Sequence, residues 1–201
     1  MNNLPSTDPH TAFEGHRILA AGPLADVALA VKQAMAAQAD EPILVFQDLS
    51  GKQIDLDVSG SDTQVVARHA APAPVSAPEP QGEPAPRGRG RPKLGVVPRE
   101  VTLLPRHWDW LNAQPGGASV ALRKLVEQAR RDNEVHDDQR RRQQAAYRFM
   151  ASMAGNLQGF EEAARALYAD DRERFAQWVA TWPQDVRDYA TRLAWAAPQA
   201  I

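Results

Sequence analysis

Arg99-Glu-Val-Thr-Leu-Leu-Pro-Arg-His-Trp-Asp-Trp-Leu111, followed after three residues by Pro115-Gly-Gly-Ala-Ser-Val-Ala-Leu122, changes its apolar period in mid-course. Arg99 to Leu104 reads as a strand, with Val101 and Leu103 on one face and Glu100 and Thr102 on the other. Pro105 suits the first turn of a helix, where its missing N–H costs nothing. Leu104, Trp108 and Leu111 then recur at i, i+4, i+7 and form one apolar face. Trp110 lies about 200° around the helix from Trp108 and is expected to point away from that face. Pro115-Gly-Gly117 stops this helix. Ser119 is placed to cap the next, because its hydroxyl can accept from an open backbone N–H. Leu122, Leu125, Val126 and Ala129 share one face of that second helix. The expectation is a β-α-α unit over residues 96–133.

Upstream lies Pro86-Arg-Gly-Arg-Gly-Arg-Pro-Lys93, a basic run at the end of a proline-rich stretch. The net charge of -2 conceals strong segregation. Residues 1–84 hold 4 basic and 11 acidic side chains, residues 85–131 hold 10 and 3, and residues 132–201 hold 9 and 11. A basic middle between acidic flanks is the footprint of a protein that meets a polyanion.

The flanks read as two further regions. Over residues 12–59 the pattern predicts a β-α-β-β unit. Phe13 to Ala20 forms its first strand, and Gly22-Pro23 opens a helix with Val27, Ala30, Val31 and Ala34 on one face. Ile43 to Phe46 and Gln53 to Val58 pair as a hairpin across the turn at Asp48-Leu-Ser-Gly51. Residues 60–92 read as a linker, since Ala70-Ala-Pro-Ala-Pro-Val-Ser-Ala-Pro-Glu-Pro80 is too poor in large apolar residues to fold alone. Residues 134–201 are helical. Asp132 to Ala154 forms one helix. Phe160, Ala163, Ala164 and Leu167 line a second, and an Asp170–Glu173 capping box starts a third with Phe175, Trp178 and Val179 on its apolar side. Trp182-Pro183 ends that helix, and Val186, Tyr189, Ala190 and Leu193 face inward from the last. The fold class is therefore α+β, with a small N-terminal unit, a linker, a central β-α-α unit and a C-terminal helical cap.

Strand, helix, glycine turn and Ser-capped helix, in the order found from Arg99 to Arg131, resemble the ribbon-helix-helix family of DNA-binding proteins. The resemblance implies a homodimer whose paired strands form an antiparallel ribbon in the major groove. Val101 and Leu103 would enter the dimer core, while Arg99, Glu100 and Thr102 would face DNA. Ser119 and Val120, at the start of the second helix, would hold a phosphate through open N–H groups and the helix dipole. Glu100 departs from the basic or amide residues usual on that outer face, and can accept only from cytosine N4. Arg87, Arg89, Gly90, Arg91, Pro92 and Lys93 resemble an AT-hook. There an extended Arg-Gly-Arg follows the narrow, electronegative minor groove of A·T-rich DNA. The seven residues from Pro92 to Arg99 span up to about 23 Å when extended. That bridges the offset of about 17 Å between adjacent grooves. Gly90 to Leu111, Gln114 to Leu122, Gln53 to Asp57 and Trp182 to Val186 together resemble the bacterial domain-of-unknown-function family 2239; the resemblance implies a bacterial source and one shared architecture, and supplies no activity to expect.

Several functions lack their residues. The chain has no cysteine, so disulfides and thiolate metal sites are excluded. Its five histidines, His10, His16, His69, His107 and His136, show no ligand spacing. Gly117-Ala-Ser-Val-Ala121 lacks the second glycine of a nucleophile elbow. No phosphate loop or dinucleotide fingerprint is present. No leader peptide and no apolar run of membrane-spanning length is recognisable. The expectation is a cytoplasmic, non-enzymatic DNA-binding dimer without cofactor, a transcriptional regulator or nucleoid-type protein preferring A·T-rich DNA. An adaptor that dimerises through the same unit without DNA, and a small enzyme with an unrecognised site, are the rival readings.

Overall fold

The computed structural model describes residues 9–70, 97 and 99–195. It is a mixed α+β fold, a four-stranded antiparallel sheet near the N-terminus with helices making up most of the rest. Strands β1 (His10–Glu14), β2 (Arg17–Gly22), β3 (Ile43–Gln47) and β4 (Lys52–Ile54) lie in the order β2-β1-β3-β4. Helix α1 (Leu24–Ala36) separates the two hairpins.

The single strand expected over Phe13–Ala20 is a hairpin, so the unit is β-β-α-β-β. Gly15 has φ +55 and opens a two-residue turn between the paired residues Glu14 and Arg17. A glycine at the first central position matches the right-handed twist of the strands it joins. The β3–β4 hairpin forms where expected, with Val45 opposite Ile54, but β4 stops at Ile54 and residues 55–58 leave the ladder. Residues 60–70, read as the start of the linker, contain α2 (Asp62–His69). Ser61 accepts from the Gln64 N–H while the Gln64 side chain accepts from the Ser61 N–H, a complete capping box. Lys32 then ties α1 to this helix through Asp62 at 2.5 Å. Residues 71–92 of the expected linker lie outside the described residues.

The C-terminal part contains α4 (Gly117–Met153), α5 (Phe160–Tyr168), α6 (Arg172–Trp178) and α7 (Gln184–Trp195). The break expected near residue 132 is absent. No glycine or proline lies between Ala118 and Ala154, so nothing interrupts the hydrogen-bond ladder, and i, i+3 pairs such as Arg130–Glu127 line its exposed middle. The expected Asp170–Glu173 box is displaced by one residue. Asp171 caps α6 by accepting from the Arg174 N–H at 2.9 Å. Asp170 instead takes φ +55 after α5 and accepts from the Trp195 indole N–H at 2.8 Å.

Two compact units divide the chain, Met1–Val75 with His136–Ile201, and Ser76–Val135. The sheet and the C-terminal helices, read from the sequence as separate regions, therefore share one core. The central strands explain why. Thr11 and Phe13, like Leu44 and Phe46, alternate with Ala12, Val45 and Ile43, leaving β1 and β3 apolar on both faces. Val27 and Val31 of α1 cover Ala12 and Val45. On the opposite face Phe13 and Phe46 meet Phe149 at 5.3 and 5.0 Å, and Tyr189 lies 4.5 Å from Phe149. Met150, Leu167, Phe175, Val179, Val186 and Leu193 complete this side. Of the expected inward residues, Ala163, Ala164 and Leu167 of α5 and Val186, Tyr189, Ala190 and Leu193 of α7 are buried, Phe160 is half-buried against the same core, and Trp178 of α6 is 40% exposed.

Candidate nucleic-acid interface

The central unit is described by itself. Residues 99–104 pair with no strand among the described residues. A strand needs a partner backbone, and none of the described segments supplies one. Arg99, Glu100 and Thr102 are exposed. Helix α3 (Pro105–Asn112) begins at the expected proline and buries Leu111, while Trp108 is half-buried. Trp110 points away from that face and is 52% exposed.

Helix α4 starts at Gly117, after a turn in which Gly116 and Gly117 have φ +88 and +74. Ser119 is consequently inside the first turn and is not the cap. The cause is geometric, because the Gly117 N–H already closes the turn on the Gln114 carbonyl at 2.9 Å. Ser119 still belongs to the turn whose N–H groups lack intrahelical acceptors, with half-buried Val120 directly after it, at the positive end of a long helix dipole. Arg123 Nε donates to the Ser119 carbonyl at 3.1 Å, which brings a guanidinium beside that end. Among the described residues Arg99, Arg106, Arg123 and Lys124 form no ion pair, whereas Arg130 is held by Glu127 at 2.7 Å. That bond is the main reason the Glu127 carboxyl sits below its ordinary range. Leu125 and Val126 of the expected apolar face are 48% and 63% exposed, and Val101 is 51% exposed. Arg87, Arg89, Gly90, Arg91, Pro92 and Lys93 lie outside the described residues.

A polar cluster in the other unit has no counterpart in the sequence reading. Asp48, on the turn after β3, accepts from Thr11 at 2.9 Å and from the Tyr189 hydroxyl at 2.8 Å through the same oxygen. Its other oxygen lies 3.4 Å from Arg192, whose guanidinium also covers the Tyr189 ring at 4.7 Å. The partners are up to 144 residues apart, so no local motif announces them. These groups satisfy one another and clamp β1, the β3–β4 turn and α7 together. Burial, reinforced by the Asp48 carboxylate, pushes the Tyr189 hydroxyl far above its ordinary 10.0. The folded chain therefore keeps this proton at a pH where the unfolded chain releases it. Its stabilising effect is complete below about pH 10 and declines above it by roughly 1.4 kcal/mol per pH unit. Tyr189→Phe is expected to cost about 1 kcal/mol at neutral pH and to remove this alkaline slope. Urea unfolding of both proteins from pH 8 to 11 checks it, and identical slopes would contradict it.

Among the described residues no group of three or more His, Asp or Glu side chains could hold a metal ion. None of the described helices is long and apolar enough to cross a membrane. The family model described as an uncharacterized protein conserved in bacteria (DUF2239) matches residues 9–194. No curated protein and no solved structure matches the chain.

Proposed function

We propose that the chain, which belongs to the bacterial family DUF2239, binds DNA as a homodimer through residues 87–131. The observation that carries this reading is the concentration of charge, 10 basic against 3 acidic side chains over residues 85–131. Four of these cations, Arg99, Arg106, Arg123 and Lys124, have no carboxylate partner among the described residues. Unpaired cations release counterions on meeting phosphates, which makes the affinity steeply salt-dependent. The uncovered Val101, Leu125 and Val126 support pairing with a second copy, in which residues 99–104 would find their missing strand partner. The ribbon then occupies the major groove, with Thr102 and Glu100 outward. Ser119 and Val120 hold a phosphate, and Arg89 and Arg91 follow the adjacent A·T-rich minor groove. The role is that of a transcriptional regulator or nucleoid-type protein, in the cytoplasm and without cofactor or catalysis.

Fluorescence anisotropy on A·T-rich and G·C-rich duplexes across a salt series tests this. Changing Arg89 and Arg91 together to Ala is expected to weaken A·T-rich binding more than G·C-rich binding. The salt slope should fall by about two units at most, one per lost phosphate contact. Absence of salt-dependent binding to either duplex would overturn the reading. A second reading, an adaptor that uses the same uncovered apolar residues only to dimerise, predicts a dimer in sedimentation with no duplex affinity. A monomer at micromolar concentration would remove both.

A further inference from the structure

The β3–β4 ladder ends early, and an open cleft of about 460 Å³ lies where it stops, between α1 and the sheet. Val31, Met35, Ile43, Val45, Ile54 and Leu56 give it an apolar floor, and its size is that of a ligand site. The strand backbone is open there too. The Gly15 N–H reaches the Pro42 carbonyl at 2.9 Å, and the Asp48 N–H reaches the Pro9 carbonyl at 3.0 Å. Antiparallel ladders alternate bonded and non-bonded pairs, so between these two bonds Phe13–Leu44 and Thr11–Phe46 are the bonded pairs of β1 and β3. Ile43 and Val45 therefore direct their N–H and C=O groups away from β1, toward β4. Val45 meets Ile54. Continuing that register sets Leu56 opposite Ile43, but residues 55–58 have left the ladder. The Ile43 N–H and carbonyl consequently have no partner among the described residues, and Ile43 lines the cleft. At the other edge of the sheet the Ile18 N–H of β2 is taken, since it donates to Asp185 at 2.7 Å.

We propose that this cleft binds an extended segment of another protein that carries basic residues beside apolar ones. A strand backbone presents a donor and an acceptor at the spacing of the vacant Ile43 pair, so the segment takes the place that Leu56 leaves and extends the sheet. Its apolar side chains cover Val31 and Met35. Met35 is 58% exposed, and its unbranched side chain adapts to what it meets. Charge selects the basic residues. Glu41 and Asp55 line the cleft, no cation does, and neither carboxylate forms an ion pair among the described residues. Of the four cations within residues 9–70, Lys32 is bound by Asp62 and Arg68 by Asp57. Arg17 stands on β2, two strands from β3, and forms no ion pair. Lys52 stands opposite Gln47, at the far end of the β3–β4 ladder. Arg148 and Arg192 reach Ser50 and Asp48 at that same end. The two carboxylates at the cleft are thus free to attract an arginine or lysine and to repel an acidic segment.

The test titrates the full chain with a fluorescent synthetic peptide of three valines between two arginines. Saturable binding with a Kd below about 1 mM is expected. The same peptide with glutamates in place of the arginines should not bind. Two N-methylated forms, each blocking alternate amides, probe the backbone. Alternate N–H groups of a strand point to opposite edges, so only one form loses the bond to Ile43, and the two affinities should differ about tenfold. Glu41→Gln and Asp55→Asn together should weaken binding about fivefold and flatten its salt dependence. Both carboxylates are exposed and unpaired, so this double variant should keep its melting temperature nearly unchanged. Duplex binding by the central unit should not respond to it, which separates this result from the DNA reading. No saturable binding, equal affinities of the two methylated forms, or full affinity of the double variant would overturn the proposal. Equally tight binding of hexylamine would assign the cleft to a small amphiphilic amine. A changed oligomeric state of the double variant would assign it to a second copy, and each of these two results also overturns the proposal.

Discussion

Replacing Phe149 with Ala is expected to destabilise the unit formed by residues 9–70 and 136–195 by about 3–5 kcal/mol. The sheet and the C-terminal helices should then melt together. Phe149 is fully buried and its ring touches three others, Phe13 of β1, Phe46 of β3 and Tyr189 of α7. Truncation removes the apolar area and leaves a cavity between layers held apart by their remaining side chains. The loss is a large share of the roughly 5–15 kcal/mol that holds a typical domain together. Hydrogen exchange distinguishes the outcomes. Amides of β1 and β3 and those of α5 and α7 should lose protection by the same factor. Sheet amides that stay protected while the helical ones exchange would mean that the two layers fold independently.

Gly51→Ala should act at one contact with a comparable result. Gly51 has φ +62, and a Cβ there would lie 1.9 Å from the Ala145 carbonyl oxygen on α4. No rotamer relieves that overlap, because both partners are backbone. The β3–β4 turn must lift from the helix, breaking the bond from Arg148 to the Ser50 carbonyl and disturbing Asp48 two residues further back. Backbone strain and overpacking together amount to about 3 kcal/mol. Gly117→Ala is the control. Its φ is +74, but a Cβ there meets nothing within 4 Å, so it carries the backbone cost alone. Denaturant midpoints of the two variants check the difference, and equal losses would show that the close approach to α4 contributes nothing.

Much of this architecture is local and was legible. Pro105, the glycine turn at 115–117 and the four-residue spacing around Trp108 mark α3 and the start of α4, because turn chemistry and helical period act over a few residues. The capping box at Ser61 and Gln64 was equally readable but was masked by the proline-rich composition that follows it. The hairpin at Gly15 was missed for a related reason. A glycine within an apolar run reads as strand until its positive φ is known.

The candidate interface divides the same way. Basic side chains over residues 85–131 are a property of composition, and so is the apolar face of Leu122, Leu125, Val126 and Ala129. Whether Ser119 caps the helix or lies within its first turn was settled by where the Gln114 carbonyl closes the preceding turn.

The sequence by itself determined most of the helices, the β3–β4 hairpin and the segregation of charge. Each of these follows from neighbours a few residues apart. Only the tertiary structure decided that the N-terminal sheet takes the C-terminal helices as its second cover. It also decided that Asp48, Thr11, Tyr189 and Arg192 converge, and that Tyr168 and Trp178 are left largely exposed. The reason is that burial on both faces requires some apolar layer without naming it. Many helices carry a suitable stripe, and the choice among them depends on the fit of Gly51 against Ala145 and of Phe149 among three rings.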